Sequence, residues 1–566
     1  MTSSRSTLSL ALASAVFLSG APLLAQAPNH THYSKPPEGG DRSSPSGALA
    51  PRLQRLGSYT FPVTTKSKDT QLFINQGVNL SYGFNHAEAA RAFAEAAQLD
   101  PDCAMAYWGH ALVLGPNINA PMNPADESKA YELAQKAVML KSKASPRERD
   151  YIDALAQRYS GKAEDRKARD RAYADAMREL AKKYPDDLDA AALFAESLMD
   201  LRPWNYWTRD GEPYPSTEEA VATINKVLAR NPNHPGALHF AIHIWEPTRT
   251  PERAEEAADR LLPLMPAAGH MVHMPGHIFY RVGRYADAAK ANQLAIAADE
   301  DYITQCRAQG IYPLGYYPHN IHFLWASAAM EGQSHVAIEA ARKTAAANPI
   351  EAVQQFPFLQ VFLVVPYHAL VRFGKDEDIL KEPPPAYDSS FTRGVWHYAR
   401  GMAFTATGKL AEAQKELDAL QEIMSDPALP ATPASFSANT AAMILRIGPE
   451  VLAGSLAAKK RDYDTAVLHL DRAVRYNDAL VYTEPPDWGV PPRHLLGAVL
   501  LEAGRAGEAE VVYWEDLNYN RNNGWALFGL WQALKAQGKD NQAAAVEQRF
   551  QKAWLNADVK LTASRF

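Results

Sequence analysis

An all-α fold, a superhelical α-solenoid of helix-turn-helix repeats carrying Tyr/Trp-rich insertions, is predicted by three features of this 566-residue chain. Small and apolar residues recur at helical spacing along most of its length. The paired helices so defined close on Pro101, Pro185, Pro232, Pro266 and Pro349, where the chain must leave the helix. The third feature is repetition. His239 and His243 return as His273 and His277, 34 residues further on, and self-similarity at such a period marks a stacked repeat array.

The composition, 47% hydrophobic and 22% charged, is that of an ordinary folded protein. A net charge of −6 offers no basic field to a phosphate backbone, so nucleic acid is not an expected partner. Residues 1–25 read as a secretory signal peptide: Arg5, an apolar run from Leu8 to Ala25 broken by Ser, Gly and Pro, then small residues. Cleavage is expected after Ala25, leaving a periplasmic or secreted protein. No later stretch reads as a membrane span. Residues 26–67, rich in Pro, Ser and Gly, are expected to be disordered. The repeat array is placed at 68–553 and a C-terminal tail at 554–566. Three stretches break its period, near 200–216, 302–318 and 375–390, two of them loaded with Trp or Tyr. Insertions of this kind lie over the binding face or pack on the surface. Two cysteines, Cys103 and Cys306, do not make a disulfide framework.

The segment GHMVHMPGHIFYRVGRYADAAKANQLAIAADE, Gly269 to Glu300, resembles a tetratricopeptide (TPR) repeat. It has an aromatic-rich first helix, a Gly283-Arg284-Tyr285 turn, and a second helix with Ala288 and Ala295 on its inner side. Similar units fit most of the chain from 68 to 553, and the whole resembles secreted bacterial TPR proteins with a histidine-rich HMPxHIF-type helix. The resemblance implies that positions 2, 5, 9, 12 and 13 of each first helix face a concave groove. His239, His243, His270, His273, His277, His319, His322 and His368 all fall on such positions. His335 does not; His494 also lands on position 5 but several repeats later and is left outside the site, and the remaining histidines read as ordinary satisfied or solvated residues.

Imidazoles four residues apart stand on one helix face, and neighbouring helices are close enough for several to grip one ion. These eight are therefore the expected ligands of one or two transition-metal ions. Imidazole-rich sites suit Zn, Cu, Fe or Ni; a carboxylate-poor, His-rich set in an oxidising compartment makes copper the first expectation and zinc the second. Glu246, one turn beyond His243, is expected to ligate, to orient an imidazole, or to serve as a catalytic base. Tyr280, Arg281, Tyr316, Tyr317 and Arg372 are expected to line the groove, the arginines facing an anionic group of a ligand. Phosphate loops, a GxSxG elbow, HExxH and CxxC are all missing from the sequence. Two readings stay open: a metal-dependent oxidative or hydrolytic enzyme acting on a small molecule, and a non-catalytic TPR scaffold holding a peptide or protein partner in the groove.

Overall fold

The computed structural model describes residues 47–208, 210–306 and 312–566, so the expected signal peptide lies outside the described residues. Regular structure among the described residues is helical, with a few isolated bridge pairs such as Trp207 with Pro213. The fold is the predicted all-α, TPR-like solenoid, and the chain divides into two compact units with the sequence boundary between Ile244 and Trp245.

The first unit opens with the helical hairpin Lys68–Tyr82 and His86–Leu99, followed by Ala104–Leu114. Ser67 starts the first of these by accepting from the Thr70 N–H at 3.1 Å. Phe93 on the second helix is fully buried, and a methyl group added at Gly77 or Gly109 would fall within 2.6 Å of its ring. A large side chain is thus gripped between two glycines 32 residues apart, and itself lies midway between them. The second unit repeats this spacing: Tyr513, on helix Ala506–Tyr519, is gripped between Gly497 and Gly529. One helix pair cannot bury its apolar face alone, so each large residue is matched to gaps in the helices on both sides.

Residues 47–67 correct one expectation, because they are not disordered. Phe61 is buried, stacked 5.6 Å from Trp108 and edge-on to Tyr151 at 5.8 Å. Amide side chains on one face of helix Lys68–Tyr82 satisfy the backbone of this strap: Asn75 Oδ1 accepts from the Phe61 N–H at 3.0 Å, and Gln71 Nε2 donates to the Phe61 carbonyl at 2.8 Å. The Pro/Ser/Gly content read as disorder conceals these anchors. The tail 554–566 also packs back. Ser564 is buried and donates to the His494 carbonyl at 2.7 Å, and Phe566 sits edge-on to Trp525 at 5.6 Å.

In the second unit the histidine-rich helix divides into Gly269–His273 and Pro275–Val282. Pro275 has no N–H to continue the ladder, and the His277 N–H bonds the Met274 carbonyl at 3.1 Å instead. Gly283 (φ 81°) ends this helix in the left-handed region, where a Cβ would lie 2.2 Å from the Arg521 carbonyl oxygen. Helix Tyr285–Cys306 then runs back along it. Within the second insertion, a π-helical turn at Tyr312–Tyr316 leads into helix Tyr317–Met330. Among the described residues, Ala441–Lys459 has the length and hydropathy of a membrane span, but 67% of that window is buried inside the protein, as in a core helix. A further break in the repeat pattern that the sequence did not announce, the irregular segment between Asp478 and Pro492, carries Glu484.

Candidate metal centre

Four parts of the second unit converge on His277. The Pro275 break sets the His273 and His277 rings 4.7 Å apart at centroids, nearly perpendicular, with their Nε2 atoms 2.9 Å from each other. Helix Tyr317–Met330 adds His319, whose ring lies 4.8 Å from that of His273 and 5.6 Å from that of His277. The three imidazoles offer ligand atoms all within 4.8 Å of one another. Phe323, one helical turn after His319, closes the back of the group with its ring 4.6 Å from His277 and 5.1 Å from His273.

The outward nitrogens of the pair are held. Asn292, on helix Tyr285–Cys306, donates through Nδ2 to the Ala288 carbonyl at 2.8 Å, which turns its Oδ1 toward His273 Nδ1 at 2.7 Å. That oxygen can only accept, so His273 carries its proton on Nδ1 and presents the Nε2 lone pair. His277 Nδ1 faces two carboxylates, Glu246 Oε2 at 2.8 Å and Glu484 Oε2 at 2.7 Å. Its Nδ1 is therefore also a donor. Burial pulls this imidazole down, but the two carboxylates outweigh it and raise its pKa to about 10. Burial raises Glu484 above the usual carboxylate range, with His277 and Arg281 pulling the other way. Arg281 tempers the negative charge: it lies 3.6 Å from Glu484, donates to the Thr248 carbonyl at 2.7 Å and rests on the Tyr482 ring.

His239 and His243 belong to the first unit, with rings 4.7 Å apart. His239 Nδ1 donates to the Tyr82 carbonyl at 2.6 Å, Phe84 lies against both rings, and Trp204 is edge-on to His243 at 5.2 Å. In the second unit His270 sits beside Tyr316, centroids 4.8 Å apart, and 5.9 Å from the His273 ring. His322 and His368 are not brought into the group. His322 stacks on Trp325 at 5.5 Å and meets Phe362 edge-on, while His368 meets Trp488 edge-on at 4.8 Å. Burial lowers both, to about 3 and about 4, and so keeps them neutral. Tyr317 also departs from the expectation: its hydroxyl donates to Glu300 at 2.9 Å, away from the histidines. Tyr280 packs edge-on to Phe323 at 5.7 Å.

One correction follows from burial. The histidines of this unit do not stand along an open concave surface, because His270, His273, His277, His322 and His368 are all buried and His319 is only partly exposed. Of the roles expected for Glu246, its position matches the orienting of an imidazole, with Oε2 2.8 Å from His277 Nδ1.

Sequence reading missed Asn292 and Glu484. A signal for the first existed, since Asn292 interrupts an Ala-rich helix at a position where the 3.6-residue period puts a core residue. None existed for Glu484, which is 207 residues from His277 and outside any repeat register.

No family model matches the chain, and no curated protein matches it. Among solved structures it is similar to a human IFIT1 dimer with m7Gppp-AAAA (12% identity, 87% of this chain and 91% of that one, TM-score 0.30). It is also similar to the TPR domain of P58(IPK) (12% identity, 84% and 99%, TM-score 0.21) and to a Rap protein complexed with competence and sporulation factor (12% identity, 65% and 98%, TM-score 0.29).

Proposed function

We propose that this is an exported TPR-like protein whose second unit holds a transition-metal ion, copper or zinc, on His273, His277 and His319, and acts through it on a small molecule. The observation that carries the reading is the tautomer pattern. With both Nδ1 atoms committed as donors, the two Nε2 atoms stand 2.9 Å apart, a contact that either a shared proton or a metal ion satisfies. Hydrogen-bonded outward nitrogens with inward lone pairs are the usual support of metal-bound imidazoles. His273, His277 and His319 would hold the ion, and a metal bound there would supply Lewis-acid or redox chemistry. Glu246 and Glu484 orient His277 and balance the charge of the ion. Arg281 keeps that pair of carboxylates from over-compensating it.

A second reading rests on the same contact: a proton on His277, favoured by its two carboxylates, bridges the imidazoles, and the protein is a scaffold for a peptide or protein partner. Elemental analysis of protein purified without a histidine tag separates the two. The metal reading expects about one equivalent of copper or zinc after reconstitution. Occupancy below about half an equivalent with either metal rejects it. His273→Ala is expected to lower occupancy severalfold and His335→Ala, at an exposed position, to leave it unchanged. Equal effects would show that the ion sits elsewhere.

A further inference from the structure

Beyond the histidine group, the second unit contains a cavity lined by Tyr280, Trp325, Arg372, Trp488 and Gly489, with room for about one water molecule. Its walls are rich in hydrogen-bond donors that nothing uses. Arg372 Nη2 and the indole nitrogens of Trp325 and Trp488 are buried with no hydrogen-bond partner among the described residues. Leaving such a group unsatisfied is costly, so three on residues lining one cavity call for a shared partner.

The neighbouring carboxylate is already committed. Arg372 Nη1 donates to His494 Nδ1 at 2.9 Å, so His494 is neutral and passes its Nε2–H to Asp516 at 2.9 Å. Asp516 accepts in addition from Asn520 at 3.1 Å and Asn523 at 2.9 Å. An imidazole therefore stands between the guanidinium and its counter-charge. The Trp525 ring under Arg372, 3.7 Å from the guanidinium carbon, neutralises part of the charge and fixes the plane of the fork. Burial pulls Arg372 down to about 9, against the opposing pull of Asp516, as befits a cation short of compensation. Three donors, one of them on a guanidinium, suit an occupant that accepts hydrogen bonds and carries negative charge, and they oppose a cation.

We infer that this cavity seats a small monoanion, a halide or the carboxylate end of a small molecule, on Arg372 Nη2 and the indole N–H groups of Trp325 and Trp488. The two indoles supply aimed dipoles without charge, and the guanidinium supplies the attraction. The site does not depend on metal at the histidines.

The test is titration of the full mature chain with sodium chloride, bromide, formate or acetate at ionic strength held constant with gluconate, following tryptophan fluorescence and Tm. A saturable response in either readout is expected, and it should persist after treatment with EDTA. Response to halides alone identifies an inorganic-anion seat; response to formate and acetate as well identifies a carboxylate seat. Trp325→Phe and Trp488→Phe keep the rings and remove one donor each, and each is expected to weaken binding about tenfold. Arg372→Gln is expected to abolish it, and if that variant fails to fold the two tryptophan variants decide. The inference is overturned if the wild type shows no saturable response to any of the four anions up to ~0.1 M, or if both tryptophan variants bind as the wild type does.

Discussion

At the scale of single residues, the histidine group is defined less by its imidazoles than by what holds their outer nitrogens. Glu484→Gln keeps the side-chain volume but removes one of the two charges on His277 Nδ1, and it should weaken metal binding by about 10- to 100-fold, measured by competition with a chromogenic chelator. An unchanged affinity would mean that Glu484 plays no part in orienting the ring. A second residue-scale consequence concerns Asp299, fully buried on helix Tyr285–Cys306. Burial raises it from its ordinary 3.8 to about 7, while hydrogen bonds from Tyr312 at 2.8 Å and Asn320 at 2.7 Å only partly oppose the shift. Its folded pKa therefore lies above its unfolded one, so its contribution to stability is full below about pH 4 and is lost as pH rises through about 7. The loss is on the order of 4 kcal/mol. Denaturant titrations from pH 4 to pH 8 should show this slope in the wild type and a flatter one in Asp299→Asn. Parallel slopes would place the titration elsewhere.

At the scale of elements, the repeat works by matching one large residue to two glycines. Gly529→Ala would set a methyl group 2.1 Å from the Tyr513 ring, between helices that cannot separate without opening the core. It should destabilise the protein by about 2–3 kcal/mol. Gly507→Ala, whose added methyl would come no nearer than 3.8 Å to Gln537, should be neutral or stabilising by up to about 1 kcal/mol through helix propensity. Chemical denaturation of both variants checks the contrast. Helix identity and the period were legible in the sequence because small residues and prolines recur along it. The division of the histidine-rich helix at Pro275 was legible too, since proline cannot extend the ladder. Its consequence, the turning of the His273 and His277 rings toward each other, was not.

At the scale of the whole molecule, export and metal loading go together, since copper or zinc would be acquired outside the cytoplasm under the proposed reading. Expression with residues 1–25 intact should yield protein in the periplasmic or secreted fraction whose intact mass corresponds to loss of that segment. Full-length chain retained in the cytoplasm would reject it. Chelation of the loaded protein should also lower Tm, because a ligand that binds only the folded state stabilises it.

The sequence by itself determined that the protein is a stack of helical pairs and that imidazoles crowd its middle, because both are written in local periods: 3.6 residues for a helix face and 34 for the repeated pair. The tertiary structure alone decided which imidazoles meet and what supports them. Glu484 reaches His277 across 207 residues of chain, Asn292 aims His273 from the facing helix, and His322 and His368 are drawn off among tryptophans. A repeat register places a residue on a helix face, but partners in a buried site are chosen by packing between segments distant in sequence, and irregular segments such as the one bearing Glu484 carry no period to read.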